Sequence, residues 1–225
     1  MWYKEWTAIR FKFWMWLAVY LALALFFINF GYRYYIDGAA FDSQPSPRFF
    51  SWIGLVYFIT ILAALFGGTD MVAEETDKGT LEFLLTKPLT RQHIYTSKLL
   101  INILALGVAY GGPSLLLLIY DQFQRQPTPI FEALVLLLLN WLLGSAFICL
   151  TALLSVFANN SMNALRYSLL VITGVGLVAF TLLYMIPFDP NVSITSVVLC
   201  AYILLGALAV SFYRVGLFCF ERRGF

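Results

Sequence analysis

Charge is what this sequence lacks most. Only 12% of its 225 residues are Asp, Glu, Lys or Arg, about half the share usual in a soluble domain. Hydrophobic residues make up 61% of the chain, and the mean hydropathy is +0.83. A water-soluble fold of this length has too little polar surface to enclose so much apolar side chain, which leaves an integral membrane protein. The net charge of +2 is too small to indicate a nucleic-acid partner. The single His93 and the scattered Cys149, Cys200 and Cys219 offer no metal-ligand spacing and no disulfide framework, so the cysteines read as small packing residues. No Gly-x-x-x-x-Gly-Lys-Ser/Thr loop occurs, so the chain itself is not expected to bind ATP or any other cofactor. The long apolar runs carry no mid-span Asp, Glu, Lys or Arg, which argues against a proton- or ion-coupled transporter.

What the chain does have is apolar length. A helix needs about 20 apolar residues to cross the hydrocarbon layer, and six runs meet that length, at approximately 13–32, 49–69, 99–120, 133–158, 167–187 and 193–213. The expected fold is therefore all-α, a single membrane domain over 1–225 with six transmembrane helices. The first run follows Lys4, Arg10 and Lys12 but is too long for the core of a cleaved signal peptide, so it reads as a retained span. Asn159, Asn160, Ser161 and Asn163 mark a polar turn after span four, and Pro187-Phe188-Asp189-Pro190-Asn191 separates spans five and six. With both termini in the cytoplasm, the inside segments hold Lys4, Arg10, Lys12, Lys78, Lys87, Arg91, Lys98, Arg166, Arg214, Arg222 and Arg223. The outside loops then hold only Arg33, Arg48 and Arg125, which satisfies the positive-inside rule for a multi-pass protein of the plasma membrane. Trp2, Trp6, Ile9 and Phe13 recur at helical spacing, the pattern of an N-terminal interfacial helix or of an aromatic belt anchoring span one.

The segment 70–98 gathers Asp70, Glu74, Glu75, Asp77, Lys78, Glu82, Lys87, Arg91, His93 and Lys98 between spans two and three. Glu74, Lys78 and Glu82 follow one another at i,i+4 and form an acid–base–acid row on one helix face. Leu81, Leu84 and Leu85 define a different, apolar face. Gly79 allows a bend between them, Pro88 ends the helix, and Thr90 is placed to cap a new helix starting at Arg91. The expectation is a cytoplasmic amphipathic helix. Its acidic start makes a poor match to an anionic leaflet, which favours a soluble protein partner over lipid headgroups. The carboxylates lie without a pocket or nucleophile, so no catalytic residue is expected.

The stretch Glu74-Glu75-Thr76-Asp77-Lys78-Gly79-Thr80-Leu81-Glu82-Phe83-Leu84-Leu85, followed by Lys87-Pro88-Leu89-Thr90-Arg91 and Lys98, resembles the hallmark between spans two and three of ABC-2 type permeases. These are the membrane subunits of ATP-binding-cassette exporters. The resemblance implies that 74–87 is a coupling helix seated on a separate ATPase subunit, which would bind ATP and Mg. It implies an interface of Glu74, Glu75, Lys78, Gly79, Thr80, Leu81, Glu82, Phe83, Leu84, Leu85, Pro88 and Arg91, with the 159–166 turn as a smaller contact. It also implies a second permease copy or a related permease, since six spans make half a pathway. The connection 187–193 is very short and lacks the Gly-rich, Phe-Pro-containing stretch of many drug and polysaccharide exporters in that family. Asn102 and Asn140 are the polar candidates for lining a path, against the commoner use of such groups in helix packing. Gly107 to Pro113 permits close packing or a kink in span three. A non-transporting scaffold that docks a soluble partner through 70–98 is the alternative from another functional class.

Overall fold

The computed structural model describes residues 2–30, 47–77, 90–123, 129–185 and 194–222. Within them the chain forms six α-helices and no strand: α1 (Trp2–Phe30), α2 (Pro47–Asp77), α3 (Arg91–Gln122), α4 (Ile130–Phe157), α5 (Ser161–Met185) and α6 (Ile194–Arg222). Five described stretches are long and apolar enough to cross a membrane, namely Ile9–Asn29, Trp52–Asp77, Arg91–Gln122, Ile130–Phe157 and Tyr202–Arg222. The helix expected as span five is present as α5 but is not among those five.

Local chemistry explains the helix boundaries. Pro47 opens α2, where a missing N–H is no loss. Thr90 caps α3, its Oγ1 accepting from the His93 N–H at 3.2 Å. Asn160 does the same for α5 through the Asn163 N–H at 2.8 Å, as the polar turn after span four predicts. One expectation needs correcting. The N-terminal interfacial helix is not a separate element, because α1 is one unbroken helix of 29 residues. No glycine or proline falls between Trp2 and Phe30, so nothing turns the chain. At ~1.5 Å per residue α1 outruns the ~30 Å hydrocarbon layer. Its aromatic first turns are an extension of the span, with Trp6 packed on Phe13 at 5.1 Å between ring centroids.

The chain divides into two compact units, Met1–Ala63 with Ile101–Gly144, and Ala64–Leu100 with Ser145–Phe225. In the first, Tyr20 and Ala24 of α1, Trp52, Val56 and Ile59 of α2, Ala109, Tyr110 and Leu117 of α3, and Ala133 and Leu137 of α4 form a buried cluster. Lipid tails are as apolar as these side chains, so burial alone gives helices little reason to associate, and close packing with polar bonds decides it. Such bonds are present. Tyr20 and Thr60 share a hydroxyl–hydroxyl bond of 3.0 Å, Asn140 Nδ2 donates to Thr60 Oγ1 at 3.1 Å, and Trp52 Nε1 donates to Ser114 at 3.2 Å. Close packing comes at Gly144, where an added Cβ would stand 2.7 Å from Leu106 and 2.7 Å from Thr60.

In the second unit Tyr95 of α3 stacks on Tyr213 and packs against Phe220, both of α6, with ring centroids 6.2 and 5.6 Å apart. Thr96 and Tyr213 bond through their hydroxyls at 3.1 Å. Ala73, Ala158 and Ala164 make a small buried cluster where α2 meets the α4–α5 turn.

Candidate functional site

The residues singled out by sequence flank and fill the connection from α2 to α3. Lys78, Gly79, Thr80, Leu81, Glu82, Phe83, Leu84, Leu85 and Pro88, and with them the expected coupling helix beyond its first four residues, lie outside the described residues. Glu74, Glu75 and Arg91 lie within them, at the last turn of α2 and the first residue of α3.

Span two was expected to end near 69, yet α2 stays helical to Asp77. Side chains from two other helices hold this extension. Ser155 of α4 accepts the N–H groups of Val72 at 3.0 Å and Ala73 at 2.8 Å. Lys98 of α3 donates from Nζ to the Met71 carbonyl at 3.1 Å. Two consecutive peptide units of α2, 71–72 and 72–73, are thus gripped from α3 and α4. Upstream, Thr151 of α4 donates to the Ala64 carbonyl at 3.2 Å. Gly68 lets the two helices close, since a Cβ there would stand 2.8 Å from Thr151 Cβ and 2.9 Å from the Ile148 carbonyl oxygen.

The centre of this arrangement is an ion pair between Lys98 Nζ and Glu75 Oε2, whose side chains are 7% and 18% exposed. A lone ammonium in that setting would be strongly disfavoured; with the carboxylate and the Met71 carbonyl it is neutralised and bonded. The pair crosslinks the last turns of α2 to the third turn of α3, bracing both ends of the undescribed connection. Glu75, expected in the partner interface, therefore faces an internal partner. Arg91 is also engaged internally, donating from Nη1 to the Glu221 carbonyl at 3.1 Å. That bond places a cation at the carbonyl end of α6, where the helix dipole favours one. Glu74 is half-buried on the same turn of α2.

Sequence reading missed Ser155 and Glu221 as members of the site and gave Lys98 no partner. A single serine in an apolar span and a backbone carbonyl carry no pattern. Lys98 had a signal: it is the one lysine in the 99–120 span's approach, seven residues inside α3, where a charge needs a counter-ion. The two path candidates both belong to the first unit. Asn140 is 2% exposed and is held by Thr60, so in this conformation its amide serves helix packing. Asn102 is half-buried on α3. At the expected smaller contact, Asn160 is committed to its cap, while Asn159 is exposed beside it.

A family model described as ABC-2 family transporter protein matches residues 3–196, a stretch that takes in α1 to α5 and the whole 70–98 segment. No curated protein matches the chain. The match spans most of the sequence and agrees with the helical, apolar architecture, and the chain belongs to the ABC-2 transporter family as a membrane permease component.

Proposed function

We propose that the chain is the permease subunit of an ATP-driven exporter in the plasma membrane, with both termini cytoplasmic. A separate ATPase carrying the phosphate loop and Mg-ATP would dock on the coupling helix 74–87, and a second permease copy would complete the pathway. The observation that carries this reading is the brace beneath that segment. Glu75, Lys98, Met71 and Ser155 tie α2, α3 and α4 together at the foot of 78–89. A push on the connection therefore reaches three helices at once, which a passive surface loop would not require. Family membership supports the ATPase partner, and the asymmetry of Lys and Arg supports the orientation. Within the docking helix, Glu74 and Glu82 supply charge complementarity and Leu81, Leu84 and Leu85 the apolar seat. Asn102 and Asn140 would line the path only in a conformation that opens the first unit.

The test is co-expression with a phosphate-loop ATPase encoded beside the chain. The complex is expected to co-purify, and charge reversal at Glu74 and Glu82 together is expected to abolish co-purification while the variant stays folded. Full retention of the partner by that variant would sink the docking assignment. Retention without any ATP-dependent transport by the wild type would favour a scaffold.

A further inference from the structure

A second feature lies at the C-terminal ends of α4 and α6, apart from the Glu75–Lys98 ion pair. Val156 and Phe157 at the end of α4, Asn159 in the following turn, and Phe218, Cys219 and Arg222 at the end of α6 enclose a cleft of ≈ 420 Å³. Phe157 and Phe218 are exposed on its walls, at 59% and 51%. The Arg222 guanidinium lies over the Phe218 ring, 4.0 Å from its centroid. Phe157 and Arg222 are also the last residues of two membrane-length spans, Ile130–Phe157 and Tyr202–Arg222. Exposed aromatic walls with a cation at a helix end are the pattern of the boundary between hydrocarbon and headgroups.

Two guanidiniums, Arg222 and Arg91, and one exposed carboxylate, Glu221, stand at this end of α6, with Arg91 donating to the Glu221 carbonyl. Exposed aromatic walls suit an acyl chain, and arginine suits a phosphate that can take two parallel N–H bonds. Basic pockets between spans at the cytoplasmic side are a recurrent mode of anionic headgroup recognition. We propose that the cleft between the ends of α4 and α6 is a binding site for an anionic phospholipid, its phosphate on Arg222 and an acyl chain along Phe157 and Phe218.

Native mass spectrometry of the full chain, purified in mild detergent and offered equal phosphatidylglycerol and phosphatidylcholine, tests this. Wild type is expected to retain the anionic lipid at least about fivefold over the zwitterionic one, the factor equivalent to the ~1 kcal/mol of one basic side chain at a lipid surface. Arg222→Gln should abolish the preference, Arg222→Lys should keep only the part that charge alone supplies, and Phe218→Ala should lower retention of phosphatidylglycerol. Glycerol phosphate, which has the headgroup and no chain, should fail to displace the lipid; displacement at comparable concentration would assign the site to free phosphate and overturn the proposal. An unchanged lipid ratio in Arg222→Gln would overturn it as well. So would loss of the ATPase partner from that variant with lipid retention intact, because the surface would then belong to the protein partner.

Discussion

Replacing Lys98 with Met is the perturbation that bears most directly on the brace. The change keeps length and apolar stem and removes the charge, leaving the Glu75 carboxylate 18% exposed with its counter-ion gone and the Met71 carbonyl without its side-chain donor. Removing one partner of a fully buried pair typically destabilises by about 3–5 kcal/mol. Glu75 keeps some water contact, so we expect about 2–3 kcal/mol. The same reasoning gives a similar loss for Glu75→Gln, which strands the ammonium. The double variant removes both charges and should recover a large part, giving an interaction energy of about 1.5–2 kcal/mol in a double-mutant cycle. Denaturant unfolding of the detergent-solubilised chain measures all four species, with Arg10→Met as an exposed-charge control expected within about 0.5 kcal/mol of wild type. A Lys98→Met loss no larger than the control, or strictly additive losses in the double variant, would refute the brace.

The packing sets the outcome of four further substitutions. Gly68→Ala should destabilise by about 1–3 kcal/mol or more, because its Cβ would run into Thr151 and the Ile148 carbonyl. Gly111→Ala, which meets nothing within 4 Å, should be neutral or slightly stabilising in the same unfolding assay. Gly216→Ala should be destabilising through the Tyr95 hydroxyl, with Cζ only 3.1 Å from the new methyl. Tyr95→Phe should relieve part of the loss, since among the described residues that buried hydroxyl has no hydrogen-bond partner to lose. Ser155→Ala should cost about 1–2 kcal/mol and speed amide exchange at Val72 and Ala73, the two N–H groups that Ser155 accepts.

The parts of this molecule that obey one-dimensional rules were legible in its sequence. Thr90 caps the helix that its spacing announces, and the polar Asn turn separates α4 from α5, although the sequence did not single out Asn160 as the cap. Apolar run length found the spans but not the helix ends, because hydropathy marks the hydrocarbon layer rather than the helix. Hence α2 runs on past 69 to Asp77, α3 starts at Arg91 before the run at 99, and α6 continues past 213 to Arg222. The α2 extension could not be read locally, since it is held by Ser155 and Lys98 from 82 and 27 residues away. The ion pair of Glu75 could not be read for the same reason. Glu75 stands in an acidic pair that reads as a solvated surface, and only the fold brings Lys98 to it.

Under the proposed function, 74–87 is the point where ATP hydrolysis in a partner would act on the spans. ATPase activity of the co-expressed complex in lipid vesicles, compared between wild type and Leu81→Asp/Leu84→Asp, tests that claim most directly. The account predicts that wild type supports ATP-dependent substrate movement and that the double variant, still folded and inserted, loses the partner and the transport with it. Undiminished ATP-driven transport by the double variant would contradict it.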